Sequence, residues 1–339
     1  MTDSPGAPDP SDDGPSEDPP RPPLSLTVFT LEGRAAPALF LVGWLATLIG
    51  FGATVVAALA GSGLAGVILF AAGTAVLTVG LVAAAGSQAI ERRAAGVTTY
   101  AGPSPVLVFA ASVSSTLFLS AVLGSFLVRL GLSPDAPLLT LVGSLIIFGS
   151  YLGLVRFLVV GTGALTWRDM GLRAGSRGFA QDAAWGVALT IPVLTVTGIV
   201  AALLSTFLPR PDPVLPPATD AAGLLLTLAL ASVIAPIGEE LFFRGFATTA
   251  WARMYGARRA LIQGAVFFAG VHVLTLGAVE PVEGLKLALF ASLVRLPVAL
   301  TLGWLFLRRR SLVTPIFLHA TYNGLPIILA AGLASTPGA

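Results

Sequence analysis

Long runs of apolar residues alternate along the chain with short breaks rich in Gly, Pro and charge. The runs lack the period-two alternation of barrel strands that face lipid on one side only, so they predict helices. About 20 apolar residues at 1.5 Å rise cross a hydrocarbon core. Nine segments approach that length: 38–60, 64–86, 105–131, 138–160, 183–206, 221–247, 259–278, 284–306 and 312–333. The breaks carry turn chemistry, as in Gly61-Ser62-Gly63, Gly102-Pro103-Ser104-Pro105 and Pro209-Arg210-Pro211-Asp212-Pro213. The first two segments also read as one long hairpin. Gly149 and Gly153 have the spacing of a close helix contact. The expected fold is all-α, a polytopic transmembrane bundle of about nine spans (eight to nine).

The first 23 residues break this pattern. They are rich in Pro, Asp and Ser with almost nothing to bury, which predicts disorder, and no basic stretch opens them as in a secretory signal. The chain then divides into a disordered acidic Pro-rich tail (1–34), N-terminal transmembrane helices of unassigned role (35–164), a core (165–333) and a short C-terminal tail (334–339).

Composition sharpens the class. Of 339 residues, 55% are hydrophobic and 11% charged, and the mean hydropathy is +0.89. Soluble domains carry roughly 25% charged residues, so this chain has too little charge to cover a water-facing surface. Cys is absent, which excludes disulfides, thiolate metal sites and cysteine nucleophiles. His272 and His319 are the two histidines available for imidazole chemistry.

Charge is unevenly placed. Residues 1–34 hold seven acids against Arg21 and Arg34, whereas the rest holds 17 basic and 10 acidic residues. The basic residues punctuate apolar runs instead of forming one patch, so no nucleic-acid partner is expected. With the N-terminus inside, Arg21, Arg34, Arg92, Arg93, Arg168, Arg173, Arg177, Arg253, Arg258, Arg259, Arg308, Arg309 and Arg310 fall on the inner side. Arg129, Arg210 and Lys286 fall outside. This positive-inside bias predicts an integral protein of a prokaryotic cytoplasmic membrane, with a cytoplasmic N-terminus and, after nine spans, an external C-terminus.

Three basic residues stay within apolar segments: Arg156, near an inner end, Arg244 and Arg295. Arg295 pairs with a loop acid or lines a cavity; the sequence leaves both open. The sixth segment holds Glu239, Glu240 and Arg244 within six residues. Each ionisable group near a bilayer centre is unfavourable by roughly 2.5–3.5 kcal/mol, so the three must be paired, wet, or both. Glu240 and Arg244 are i,i+4 neighbours in the favourable acid-first order, and Glu239 lies about 100° round the helix. Pro236 tends to kink the helix just before them. Segment seven carries Phe268 and His272, and segment nine carries His319 and Asn323 on one face. Measured from the Arg clusters, Glu239 and His272 lie roughly 20 Å deep and His319 roughly 14 Å. Polar groups from three non-adjacent helices thus meet at similar depth, as a buried active site requires.

Glu-Glu-x-x-x-Arg, Phe-x-x-x-His and His-x-x-x-Asn on successive helices resemble the motifs of the CAAX prenyl protease type II and bacteriocin-processing (CPBP, or Abi) intramembrane proteases. The likeness extends over about residues 165–330; Trp167 to Arg173 is similar to the segment opening that family's core. The resemblance implies an endopeptidase in which Glu239 and His272 activate a water and His319 with Asn323 stabilises the oxyanion. Glu240, Arg244 and Phe268 would organise the site. Its implied partners are the lipid bilayer and a peptide or membrane-associated protein substrate, lipidated ones included. A carboxylate–imidazole pair is suited to general-base work, and imidazole and amide donors to an oxyanion.

Taken one at a time, the same residues have plainer roles: His272 and Asn323 as helix-linking hydrogen bonders, Glu240 with Arg244 as a structural pair, and Tyr322 as packing. No cofactor is favoured. A divalent metal such as zinc on His272, His319 and Glu239 is the alternative, although no His-Glu-x-x-His occurs and the histidines sit on different helices. Two other function classes use the same charges: a transporter or channel, for which no inverted repeat is evident, and a catalytically silent immunity or scaffold protein.

Overall fold

In a computed structural model the described residues are 30–61, 63–172, 178–211, 220–277 and 280–334. The predicted disorder of residues 1–29, the Arg173 and Arg177 assignments and the tail beyond 334 lie outside them. Among the described residues every regular element is helical. The helices are α1 (Pro37–Ala60), α2 (Leu64–Ala94), α3 (Pro105–Arg129), α4 (Pro137–Val160), α5 (Phe179–Leu204), α6 (Ala221–Tyr255), α7 (Ala257–Val271), α8 (Pro281–Arg309) and α9 (Val313–Ala334).

Eight of the nine are long and apolar enough to cross a membrane, and the chain is an integral membrane protein. The exception is α7, whose α-helical part has 15 residues. A 3₁₀ turn, His272–Thr275, extends it. Helix and turn together rise roughly 30 Å, the thickness of a hydrocarbon core. The seventh segment is therefore short as a helix yet nearly spanning in reach, and its tightened last turn begins at His272.

The first two segments form a hairpin of two helices held close by glycines seven residues apart. A Cβ on Gly50 would lie 2.2 Å from the Leu77 amide nitrogen, and one on Gly80 2.3 Å from that of Thr47. Gly43 and Gly73 repeat the contact at 2.8 Å. Small residues that let backbones approach are how helices associate in lipid. Gly50→Leu is expected to cost about 1–3 kcal/mol through overpacking, read as a lower unfolding midpoint in detergent, with activity per folded molecule unchanged.

Gly149 and Gly153 behave differently from the expectation. A Cβ at either position meets nothing within 4 Å, and both line an open apolar groove with Leu119 and Leu123 of α3. Spacing alone did not reveal that α3 leaves this stretch of α4 uncovered.

The main core is aromatic. Phe242, Phe243 and Phe246 of α6 are fully buried among Phe109 of α3, Tyr151 of α4 and Phe268 of α7. Tyr151 and Phe242 rings lie 4.7 Å apart, and Phe243 meets Phe268 edge-on at 5.1 Å. Such pairs add to their area burial and fix the depth of α6, and hence of the charged residues just before them.

Candidate active site

α6 is built from α and π turns in sequence. A π turn covers Leu230–Ile234, an α turn Ala235–Glu239, and a nine-residue π stretch Glu240–Thr248. Pro236 has no N–H and its ring crowds the carbonyl four residues back; the wider turn just before it relieves that crowding. π turns are frequent at functional sites, and of these two one precedes the Glu-Glu pair and the other begins at Glu240. All nine residues of the second π stretch are buried.

Glu240 and Arg244 are 0% and 2% exposed and directly paired, Arg244 Nη1 donating to Glu240 Oε1 at 2.9 Å. Arg244 is further held by two neighbours the i,i+4 rule does not supply. Its guanidinium carbon lies 4.0 Å from the Phe268 ring centroid, and Nη2 donates to the Ala299 carbonyl of α8 at 3.4 Å. A desolvated cation–π contact contributes about 2 kcal/mol. Phe268, the first residue of its motif, thus lies between Arg244, His272 and His319, whose ring centroids are 4.7 Å and 5.8 Å from its own.

His319 Nδ1 lies 2.8 Å from Glu240 Oε1. On the other side of the ring, Nε2 lies 3.9 Å from Glu239 Oε2. Adjacent glutamates therefore approach the two nitrogens of one imidazole, although a helical wheel separates their directions. The insertion of the ring between their long side chains reconciles the two. Glu239 Oε2 is buried without a hydrogen-bond partner. Glu239 also lines a cavity of about 80 Å³ between α4 and α6, beside Phe148, Tyr151 and Gly238. That space is polar at one end and large enough for water.

His272 sits at the end of α7 with Nδ1 2.7 Å from the Phe268 carbonyl. A carbonyl only accepts, so Nδ1 carries the proton and Nε2 of the neutral ring is left as an acceptor. Among the described residues, the imidazole within 4 Å of the Glu239 carboxylate is His319. Asn323 Nδ2 donates to the Ala231 carbonyl at 2.9 Å, inside the first π turn. Gly324 permits this approach: a Cβ there would stand 2.7 Å from Ser232 Oγ. One amide hydrogen anchors the side chain, and the other remains available.

The structure thus brings Glu239, Glu240, Arg244, Phe268 and His319 together, with His272 against Phe268, while Asn323, one turn beyond His319, is held at the Ala231 carbonyl earlier on α6. Arg295 donates from Nη1 to the Ala291 carbonyl of its own helix at 2.8 Å, so its described partner is not a loop acid. Sequence reasoning missed α4, whose Phe148 packs over Gly238 and whose Tyr151 lines the Glu239 cavity. Two aromatic residues at i,i+3 were the available signal. The carbonyls of Ala231 and Ala299 could not be read at all, because backbone acceptors leave no mark in a sequence.

Residues 221–325 match the family model of the type II CAAX prenyl endopeptidase Rce1-like proteins. The matched stretch runs from the start of α6 through the His319–Asn323 turn, and it bears out the resemblance drawn from the three motifs. This stretch of the membrane protein is similar to that family. No curated protein and no solved structure matches the chain.

Proposed function

We propose that the protein is an intramembrane endopeptidase acting on a membrane-associated peptide or protein. The observation that carries this reading is the Glu239 carboxylate, with one oxygen buried and unpartnered and the side chain facing a water-sized cavity, beside an imidazole fixed by a second carboxylate. Glu239 takes a proton from water as the water oxygen bonds to the scissile carbonyl carbon. His272, with Nδ1–H committed to the Phe268 carbonyl, offers Nε2 as the second acceptor for that water. The carbonyl oxygen becomes an oxyanion, to which the free amide hydrogen of Asn323 donates, joined by His319 Nε2 in the doubly protonated ring whose Nδ1–H is held by Glu240. Collapse breaks the C–N bond, and the proton held by Glu239 passes to the departing amine. Glu240 orients His319, and Arg244 balances Glu240.

Metal-free chemistry is part of this proposal. The Nδ1 hydrogen bonds of His272 and His319 leave both Nε2 atoms open, but among the described residues no three His, Asp or Glu side chains gather as a ligand set. The donors do not fit a two-histidine, one-glutamate zinc site. The Arg-rich helix ends are placed on the cytoplasmic side, with the N-terminus inside and the C-terminus outside. The matched family description points to substrates carrying a prenylated cysteine.

The test uses purified protein and quenched fluorescent peptides, with and without a prenylated cysteine. Cleavage is expected to survive exhaustive chelation. Asn323→Ala is expected to lower turnover by roughly 10²–10³-fold with no response to added zinc. Recovery of this variant by micromolar zinc would show that Asn323 supports a metal ligand, and would overturn the metal-free reading.

A further inference from the structure

Remote from the active site, three chain segments close around a second polar pocket of about 310 Å³. The connection after α4 supplies Arg168 and Asp169, the end of α6 supplies Thr249 and Arg253, and the end of α8 supplies Phe306 and Arg310. Three arginines and one aspartate line it. That carboxylate is already committed: Asp169 pairs with Arg253 at 2.7 Å and accepts from the Thr166 N–H and hydroxyl, each at 2.8 Å. Partial burial pushes the Asp169 carboxyl up, but the Thr166 hydrogen bonds and Arg253 outweigh it and hold it below its ordinary range. Asp169 therefore stays ionised and fixes Arg253 in place. Arg168 and Arg310 have no ion-pair partner among the described residues, so the pocket has two positive charges in excess.

Its depth identifies the layer it samples. α8 has 29 residues and rises about 43 Å, close to the thickness of a bilayer with its headgroups. Its Arg310 end therefore emerges at the phosphate level. Trp304, 47% exposed and capped by Arg308 at 5.9 Å, marks the interface about one and two-thirds turns earlier. Arg310 itself adopts a left-handed conformation, φ 54°, as its N–H closes the helix on the Phe306 carbonyl.

We propose that this pocket binds the phosphate of an anionic phospholipid headgroup. Guanidinium forks arriving from three segments suit a tetrahedral oxyanion, Thr249 adds a hydroxyl, and the Phe306 side offers an apolar wall toward the glycerol. Basic pockets between helices at the membrane surface recognise lipid headgroups by this chemistry.

The experiment measures lipid retention by native mass spectrometry on the full chain in neutral detergent, titrated with phosphatidylglycerol, phosphatidylcholine or inorganic phosphate. Phosphatidylglycerol should be retained at about one per chain and in preference to phosphatidylcholine. Arg168→Gln combined with Arg310→Gly should weaken it by about 30-fold, the loss expected for two membrane-surface arginines. Glycine suits the left-handed position, so this variant should unfold at or above the wild-type midpoint without lipid. Arg258→Gln with Arg259→Gln, exposed on α7 and outside the pocket, should bind within about twofold of wild type. Equal loss in both double variants would mean diffuse surface attraction and overturn the site. Unchanged retention in the pocket variant would do the same. Inorganic phosphate binding as tightly as the lipid would assign the pocket to a soluble anion and overturn the headgroup assignment.

Discussion

Glu239→Gln is expected to lower peptide-bond hydrolysis by about 10⁴-fold, the upper range for loss of a general base, while leaving the fold intact. Glutamine keeps the length and planar shape of the side chain but cannot take the proton. Glu239 Oε2 has no hydrogen-bond donor to lose, and neutralising position 239 removes the cost of burying a carboxylate, while the repulsion relieved at Glu240 is offset by attraction lost to His319 and Arg244. The unfolding midpoint in detergent should therefore hold or rise. Turnover with quenched peptides and thermal unfolding on the same preparation separate the two quantities. Wild-type turnover in Glu239→Gln would place the base on another residue.

Glu240→Ala should have the opposite profile, with stability falling first. Arg244 would remain 2% exposed without its carboxylate, and breaking a buried pair from one side costs about 3–5 kcal/mol. His319 would also lose the acceptor at Nδ1 that sets its orientation, so activity should fall with stability. A second substitution distinguishes these contributions. Adding Arg244→Met removes the stranded charge and keeps an unbranched chain against Phe268, so most of the lost stability should return. Activity should not return, because His319 still lacks its acceptor. A double variant as unstable as Glu240→Ala alone would show that packing, not the stranded charge, sets the cost.

How far the sequence could be read depended on which physical signal each feature leaves. Apolar runs and Arg-marked breaks locate most helix ends to within a few residues, because bilayer thickness imposes length directly, but α2 and α6 run on past the expected ends at 86 and 247 to Ala94 and Tyr255, through polar turns that hydropathy leaves out. α7 also departs, ending in a 3₁₀ turn that hydropathy does not distinguish from α-helix. The pairing of Glu240 with Arg244 was legible because i,i+4 neighbours stay on one face. The contact of both glutamates with His319 was not, since it depends on how α9 sits against α6. That approach is set by Gly324 and the π turn opposite, and Asn323 reaches a backbone carbonyl there. Gly149 and Gly153 show the converse: a motif for contact is present, but no helix comes to meet it.

The alternation of α and π turns in α6 also has a consequence for how this helix tolerates change in length. A π turn closes its hydrogen bonds one residue later than an α turn, so each is equivalent to a single inserted residue absorbed without breaking the rod. α6 therefore behaves as a helix with two phase shifts, one ahead of the Glu-Glu pair and one beginning within it. Deleting one residue from Glu240–Thr248 would let the ladder relax toward α geometry and leave everything beyond it facing as before, whereas straightening one π turn with no deletion would rotate it by about 100° relative to Glu239. After such a deletion Arg253 would keep its direction although the segment had lost a residue. Alignments of such helices should accordingly be judged by angular phase around the axis as well as by residue identity, because a one-residue gap here can leave the geometry beyond it unchanged.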